Sequence, residues 1–174
     1  MNRRMLVGLV VMSMVAFGIK SEAASEWETD FSKASTNASK SELYMLLDFC
    51  GSDWCGWCIK LEKEVFSKPD FKKYAKQNLI CVMVDFPRKK SQNKKLKEQN
   101  VELAKKYGVR GYPTVVILSP DGSLVGTTGY KEGGAQKYVD HLKEMIDAYK
   151  KQPGKETENK EPSKRVAVDS NVKK

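Results

Sequence analysis

Two cysteines separated by two residues, Cys55 and Cys58, carry the clearest chemistry in the sequence. An apolar run of strand length precedes them, and apolar residues at helical spacing follow from Trp57 onward. Cys55 is therefore expected at a strand-to-helix turn, where unpaired N–H groups and the helix dipole favour an anion. A thiolate is such an anion, and it is the nucleophilic form of cysteine. Cys58, one turn inside the helix, is close enough to close a small disulfide ring with Cys55.

Other interpretations of the cysteines have to be weighed. A purely structural disulfide is one, and a metal site built from all four cysteines is another. Cys50 and Cys81 fall inside predicted strands, where they point poorly for a single metal tetrahedron, so no metal is expected. We expect these two to be buried, inert thiols, with a second disulfide as the alternative. Haem attachment would need a histidine after Cys58, and Ile59 stands there instead.

Length, charge and histidine content limit the classes of function to be considered. The chain has 174 residues, enough for one domain with an ordinary core, and a formal net charge of +9. Basic residues concentrate at 88–97, a run that could bind nucleic acid or an acidic lipid surface. No aromatic residue interleaves this run, so a solvated face is the preferred interpretation and no nucleic-acid partner is expected. The single histidine leaves little room for a histidine-based metal site or a Cys–His protease pair.

The two ends of the chain do not look like parts of the fold. Two arginines and a short apolar stretch precede small residues, which predicts a signal peptide over 1–23 with cleavage after Ala23, or alternatively after Ala24. An uncleaved membrane anchor is the alternative, but the stretch is shorter than the roughly 20 residues a spanning helix needs. Residues 24–150 are predicted to form the folded domain. Residues 151–174 have almost no large apolar side chain and are predicted to be a disordered tail.

Hydrophobic periodicity predicts the order of elements within the domain. An extra N-terminal helix over 27–40, capped by Thr29 or Asp30, precedes a β-α-β-α-β-β-α succession. The predicted elements are a strand at 43–50, helices at about 56–66 and 70–77, a strand at 79–86, a helix that begins inside 87–99 and ends at Gly108, strands at 114–118 and 123–128, and a helix at about 135–150. This order predicts an α/β domain with a mixed parallel and antiparallel sheet.

That order, with Trp54-Cys55-Gly56-Trp57-Cys58 after the first strand, resembles the thioredoxin superfamily. The segment 107–114 is similar to the thioredoxin segment that carries a cis-proline, and Asp121-Gly122 matches the hairpin turn of that fold. The resemblance covers about 27–149. Together with the export signal, it looks most like the periplasmic thioredoxin-like Dsb proteins, including the small reductases fed by the membrane transporter DsbD. The chain departs from thioredoxin in its Gly-Trp dipeptide, in a longer approach to Cys55, and in the basic insertion.

The resemblance implies catalytic roles for three residues. Cys55 would attack a substrate disulfide, and Cys58 would resolve the mixed disulfide that forms, so that the Cys55–Cys58 disulfide is the redox-active centre. Asp48 would lie buried under Cys58 with a raised pKa and accept a proton as Cys58 becomes nucleophilic. A solvated strand end is the alternative for Asp48.

The resemblance also implies a substrate-binding surface. Pro113 would be cis in the loop that faces the cysteines, and Tyr112 would offer backbone hydrogen bonds to a bound peptide. Trp54 and Trp57 would flank the nucleophile as an apolar contact surface, with Gly56 between the cysteines. Packing against the helix that carries Leu61 is the alternative for Trp57.

The function expected from these observations is an exported, periplasmic thiol–disulfide oxidoreductase that works without a bound cofactor as a monomer. It would reduce disulfide-containing exported proteins with electrons from a membrane donor of the DsbD type. One alternative is a disulfide oxidase or isomerase. The other is a metal-delivery or assembly module that uses the cysteines as ligands.

Overall fold

The computed structural model describes residues 27–152. The predicted signal peptide and residues 153–174 of the predicted tail lie outside this range, so both remain predictions. None of the helices formed by 27–152 is long and apolar enough to cross a membrane.

The described residues form five α-helices and four strands in the predicted α/β order. They are α1 (Phe31–Ser41), β1 (Tyr44–Cys50), α2 (Gly56–Leu61) continued by a π-helical turn (Glu62–Phe66), α3 (Pro69–Asn78), β2 (Leu79–Asp85), α4 (Lys94–Lys106), β3 (Thr114–Leu118), β4 (Leu124–Thr128) and α5 (Gly134–Lys150). The sheet order is β2-β1-β3-β4. Strand β1 pairs parallel with β2 and antiparallel with β3, and β3 pairs antiparallel with β4, which confirms the predicted mixed sheet.

Short-range sequence signals account for several element boundaries. Asp30 caps α1 by accepting a hydrogen bond from the Lys33 N–H, and Asn93 caps α4 by accepting one from the Leu96 N–H. Gly108, just after α4, adopts a left-handed φ of 62° that a side chain would strain, so the helix ends there.

The predicted cap at Asp30 is confirmed, but the inclusion of residues 27–29 in the first helix is wrong. The segment before Asp30 is extended, and the Glu28 N–H donates to the Cys81 carbonyl while the Glu28 carbonyl accepts from Met83. The Trp27 ring packs against Phe66 and Phe71 at centroid distances of 5.0 and 6.5 Å. Trp27 therefore does not belong to α1. Its ring packs on the face of the sheet opposite to the face that α1 covers.

The two faces of the sheet have separate cores because successive side chains of a strand point to opposite faces. Helices α1 and α4 cover one face and pack on alternate β1 residues such as Leu47 and Phe49. Helices α2, α3 and α5 cover the other face, where Leu46 lies. Asp48 shares the face of Leu46 by strand alternation, so its carboxyl is directed under the helices that follow the cysteines.

Candidate active site

The Cys55–Cys58 pair lies where β1 leads into α2, and the two sulfur atoms form a disulfide. Cys55 is the N-cap of α2, as predicted, with an extended backbone (φ −84°, ψ 104°). Its Sγ accepts a hydrogen bond from the Cys58 N–H at 3.2 Å, and its own N–H donates to the Gly51 carbonyl at 2.8 Å. The first residue of the pair is thus held by the backbone at a helix start, where a thiolate would meet a ready donor.

Asp48 lies in β1, two residues before Cys50, and is only 6% exposed. Burial raises its pKa to about 7, an effect opposed by the Cys50 thiol and reinforced by the carboxylates of Glu62 and Asp85. Among the described residues, no donor lies within hydrogen-bonding distance of Asp48 Oδ1. The expected burial and raised pKa of Asp48 are confirmed. Its part in proton transfer stays a prediction.

The other two cysteines are free and buried, as expected. In the parallel register Cys50 is opposite Asp85 and Cys81 is opposite Leu46, so the two thiols are offset along the sheet. Burial raises the pKa of both thiols, that of Cys81 to about 12. Between residues 27 and 152, no three His, Cys, Asp or Glu side chains are grouped as a metal site would require.

Sequence reasoning missed the role of Asp85 at the end of β2. Its carboxylate accepts hydrogen bonds from the Ser52 N–H at 2.9 Å and the Ser52 hydroxyl at 2.6 Å, and the Cys50 thiol lies 3.7 Å away. These contacts tie the end of β2 to the turn that leads into Cys55. The available signal was an aspartate at the end of the strand predicted to lie beside the first.

An aromatic wall formed by Trp54, Phe86 and Tyr112 stands beside the cysteines. The Trp54 indole N–H donates to the Phe86 carbonyl at 2.8 Å, and its ring meets Tyr112 edge-on with centroids 5.8 Å apart. Trp54 and Tyr112 both contact the cluster formed by Cys55, Cys58 and Cys50. Gly51 makes room for the indole, since a Cβ at that position would lie 2.4 Å from a Trp54 ring atom.

The loop before β3 reaches the same cluster through Tyr112. The Tyr112–Pro113 peptide bond is cis. Tyr112 is half-buried, and its ring also packs against Phe86 at a centroid distance of 5.3 Å. The predicted substrate-binding residues Tyr112 and Trp54 therefore lie together beside the dithiol.

Trp57 lies on the other flank of the dithiol and is 56% exposed. It packs against Tyr130 at 5.2 Å, and the Lys60 ammonium lies 5.0 and 4.9 Å from the centroids of these two rings. The Tyr130 hydroxyl donates to Glu64 at 2.6 Å. Trp57 thus offers apolar surface to solvent, as predicted, rather than packing into the core. Gly56, just before it, is exposed.

Asp53 connects the cysteine turn to the basic insertion. Its carboxylate accepts hydrogen bonds from the backbone N–H groups of Arg88, Lys89 and Lys90 at 3.0, 2.7 and 3.1 Å. These bonds, the one from Arg88 first, lower the pKa of Asp53. Residues 88–90, called the basic loop below, are exposed as predicted, but their backbone is fixed to the active-site turn.

Comparison with known proteins identifies the family. A family model described as a thioredoxin-like domain matches residues 31–146. The chain belongs to the thioredoxin-like family. The sheet order and flanking helices are those of the thioredoxin fold, with α1 as the extra N-terminal helix.

Among curated proteins, this thioredoxin-like chain is similar to two from Chlamydia pneumoniae. It is 33% identical to the disulfide bond reductase DsbH over 121 residues. The aligned region covers 70% of this chain and 72% of that protein. The chain is 30% identical over 120 residues to the thioredoxin-related protein DsbJ, over 65% of this chain but only 34% of that protein. A solved structure titled DsbH oxidoreductase superposes with a TM-score of 0.67 at 33% identity, covering 70% of this chain and 84% of the other.

Proposed function

We propose that this thioredoxin-like chain is a thiol–disulfide oxidoreductase that reduces disulfides in exported proteins without a bound cofactor. The observation that carries the proposal is the Cys55–Cys58 disulfide at a helix start, with the Cys55 sulfur hydrogen-bonded by the Cys58 N–H. A donor at this sulfur favours the thiolate over the thiol. The similarity to a protein named disulfide bond reductase supports the same activity.

The reaction begins with the reduced dithiol. The Cys55 thiolate attacks one sulfur of the substrate disulfide, forms a mixed disulfide and releases the other substrate sulfur as a thiolate, which takes a proton to become a thiol. Cys58 then loses its proton and attacks Cys55 Sγ, which releases the second substrate thiol. Two electrons and two protons pass to the substrate, and the Cys55–Cys58 disulfide remains.

Asp48 is proposed to assist the second step. A carboxylate at this place can accept the Cys58 proton when its pKa is near the working pH, and burial raises the pKa of Asp48 to about 7. The same carboxyl, when ionised, disfavours a second negative charge nearby. Asp48 would thus remove the proton of the Cys58 thiol in the step in which Cys58 attacks the mixed disulfide.

The proposed substrate surface consists of the aromatic wall on one flank and Trp57 on the other. Tyr112, before cis-Pro113, would pair its backbone with an extended peptide, and Gly56 leaves the space next to the sulfurs open. The 56% exposure of Trp57 supports contact with flexible or unfolded substrates.

The preferred direction is reduction. A strong oxidant needs an extremely stabilised thiolate, and the Gly56-Trp57 dipeptide offers no charged group to provide it. A buried Asp48 also raises the pKa of neighbouring thiols when ionised. Reduction in an oxidising compartment requires a steady supply of electrons, so we propose a membrane dithiol donor of the DsbD type as partner. The protein would act as a periplasmic monomer after removal of residues 1–23.

The proposal is tested with cysteine variants in a disulfide-reduction assay on a peptide with one disulfide. Cys55→Ser is expected to abolish reduction, whereas Cys58→Ser is expected to accumulate a mixed disulfide on Cys55, visible by intact mass. Cys81→Ala is the matched control and should keep most of the activity, because Cys81 lies away from the sulfur cluster. Full activity of Cys55→Ser, or normal turnover of Cys58→Ser, would overturn the assignment.

Export is tested separately by the mass of the protein recovered from cells. A cleaved signal peptide predicts an N-terminus near Ala24. Recovery of the full-length chain in the membrane fraction would contradict it.

A further inference from the structure

The basic loop carries three cationic side chains, and its backbone is fixed to the turn that leads into Cys55. Among residues 27–152, the one carboxylate hydrogen-bonded to the loop is that of Asp53, which accepts from the backbone N–H groups of residues 88–90 and offsets one of the three positive charges. Across residues 27–152, no carboxylate lies within ion-pair distance of the Arg88, Lys89 or Lys90 side chains. The three side chains are exposed, so their charge faces solvent. A backbone held at three points fixes where these side chains leave the chain.

Arg88 brings one of these charges onto Trp54, the residue that precedes Cys55. Its guanidinium lies 3.8 Å from the centre of the Trp54 ring, a stacking arrangement that orients the planar group. Trp54 precedes Cys55 in the chain and contacts the cluster that holds Cys55 and Cys58. A substrate segment that lies along Trp54 would therefore meet the guanidinium.

The opposite flank has a different charge balance. Lys60 lies over Trp57 and Tyr130, and its pKa is raised by Tyr130 first and then by Glu64 and Glu132. The positive charge of Lys60 is thus opposed by two nearby carboxylates. Within the part of the chain that the structure describes, the basic loop carries three positive charges against the single carboxylate of Asp53, so it presents a net positive charge to a substrate.

We propose that Arg88, Lys89 and Lys90 form a subsite for acidic residues next to the substrate disulfide. The proposal rests on the disulfide-exchange function above and names the class of substrate: protein segments in which Asp or Glu lies a few residues from the cysteine. Arginine binds carboxylates through two parallel N–H donors, and like charges on the substrate would be repelled. Exposed ion pairs are individually weak, so the expected preference is about two- to fivefold.

The test uses two disulfide peptides that differ only in the residues flanking the cysteines, glutamates in one and lysines in the other. The second-order rate constant for reduction of each peptide by the reduced full chain is measured in low salt and again in high salt. The wild-type chain is expected to reduce the glutamate peptide about two- to fivefold faster, and salt should diminish this ratio because exposed charges are screened.

Arg88→Gln and a matched control separate this subsite from net charge. Arg88→Gln should lower the ratio toward one, and Arg88→Lys should retain part of it. Lys150→Gln removes the same charge from a lysine that also lies over an aromatic ring, Tyr44, at the far end of β1. That control should keep the wild-type ratio.

The outcomes distinguish a failure of the subsite from a failure of the disulfide-exchange function on which it rests. A ratio of one in the wild type, an unchanged ratio in Arg88→Gln, or an equal loss in Lys150→Gln would overturn the subsite while leaving disulfide exchange intact. Failure of the wild type to reduce either peptide would overturn the proposed function and the subsite together.

Discussion

Two aspartates near the dithiol, Asp48 and Asp53, experience opposite electrostatic environments. Asp48 is buried, and burial raises its pKa to about 7. Asp53 accepts three backbone hydrogen bonds from the basic loop, which lower its pKa. Burial favours the protonated form of a carboxyl group, and hydrogen-bond donors favour the ionised form. Burial, rather than distance from the cysteines along the chain, therefore distinguishes the candidate proton acceptor Asp48 from Asp53, which three donors keep ionised.

The largest effect is expected from removing the proton acceptor. Asp48→Asn keeps the shape of the side chain but cannot take up a proton, so resolution of the mixed disulfide at pH 7 should slow on the order of 10²-fold. Quenched-flow measurement of substrate release gives this rate, and the wild-type dependence on pH near 7 should disappear in the variant. Asp140→Asn, an exposed carboxylate on α5, is the control. Resolution at the wild-type rate with an unchanged pH profile would refute the proposed role.

The same variant tests the raised pKa through stability. Between pH 3.8 and about 7, the folded chain holds a proton on Asp48 that the unfolded chain has released. The free energy of unfolding therefore falls as the pH rises through this window, by about 4 kcal/mol at most. Asp48→Asn should be more stable than the wild type at pH 8 and should lose this advantage near pH 4. Urea unfolding at both pH values measures it, and an equal difference at the two would contradict the raised pKa.

A third variant leaves both carboxylates intact and displaces the Trp54 indole, which lies against Arg88 of the basic loop. Gly51→Ala places a Cβ 2.4 Å from a Trp54 ring atom, so the ring has to move. The expected loss is about 1–3 kcal/mol in the free energy of unfolding. Gly111→Ala is the control, because a Cβ there meets no atom within 4 Å. Equal stability of the two variants would show that Trp54 is not tightly held.

The smallest effect sharpens the comparison at Asp53. Asp53→Ala removes the acceptor from three backbone N–H groups, so amide hydrogen exchange at residues 88–90 should accelerate about tenfold. Asp48→Asn should leave these amides unchanged. If both variants, or neither, alter exchange in the basic loop, the two aspartates do not have the separate roles described here.

The chemistry of the cysteine turn could be predicted because its signals are local. The spacing of Cys55 and Cys58, the apolar strand before them and the helical pattern after them all lie within a short stretch of chain. The mixed sheet followed from the order of the elements. The burial of Asp48 followed from its place in that strand once the resemblance to thioredoxins was recognised.

Contacts between distant segments could not be predicted in this way. Asp53 and Arg88 are 35 residues apart in the sequence, and the hydrogen bond between them depends on how the loop folds back. Trp27 misled the helix prediction for the same reason, since its spacing to Phe31 fits a helix while its ring packs on Phe66. Helical spacing of apolar residues indicates a shared face only if the segment actually forms a helix.

The reduction potential of the Cys55–Cys58 pair tests the central claim most directly. The full chain is equilibrated with glutathione buffers of defined ratio, and the fraction of dithiol is read by alkylation and mass. If the protein is a disulfide reductase, we expect a potential near that of thioredoxin, about −270 mV, and a protein pool that is largely reduced in cells. A potential near that of DsbA, about −120 mV, with a largely oxidised pool, would contradict the reductase function and indicate an oxidase.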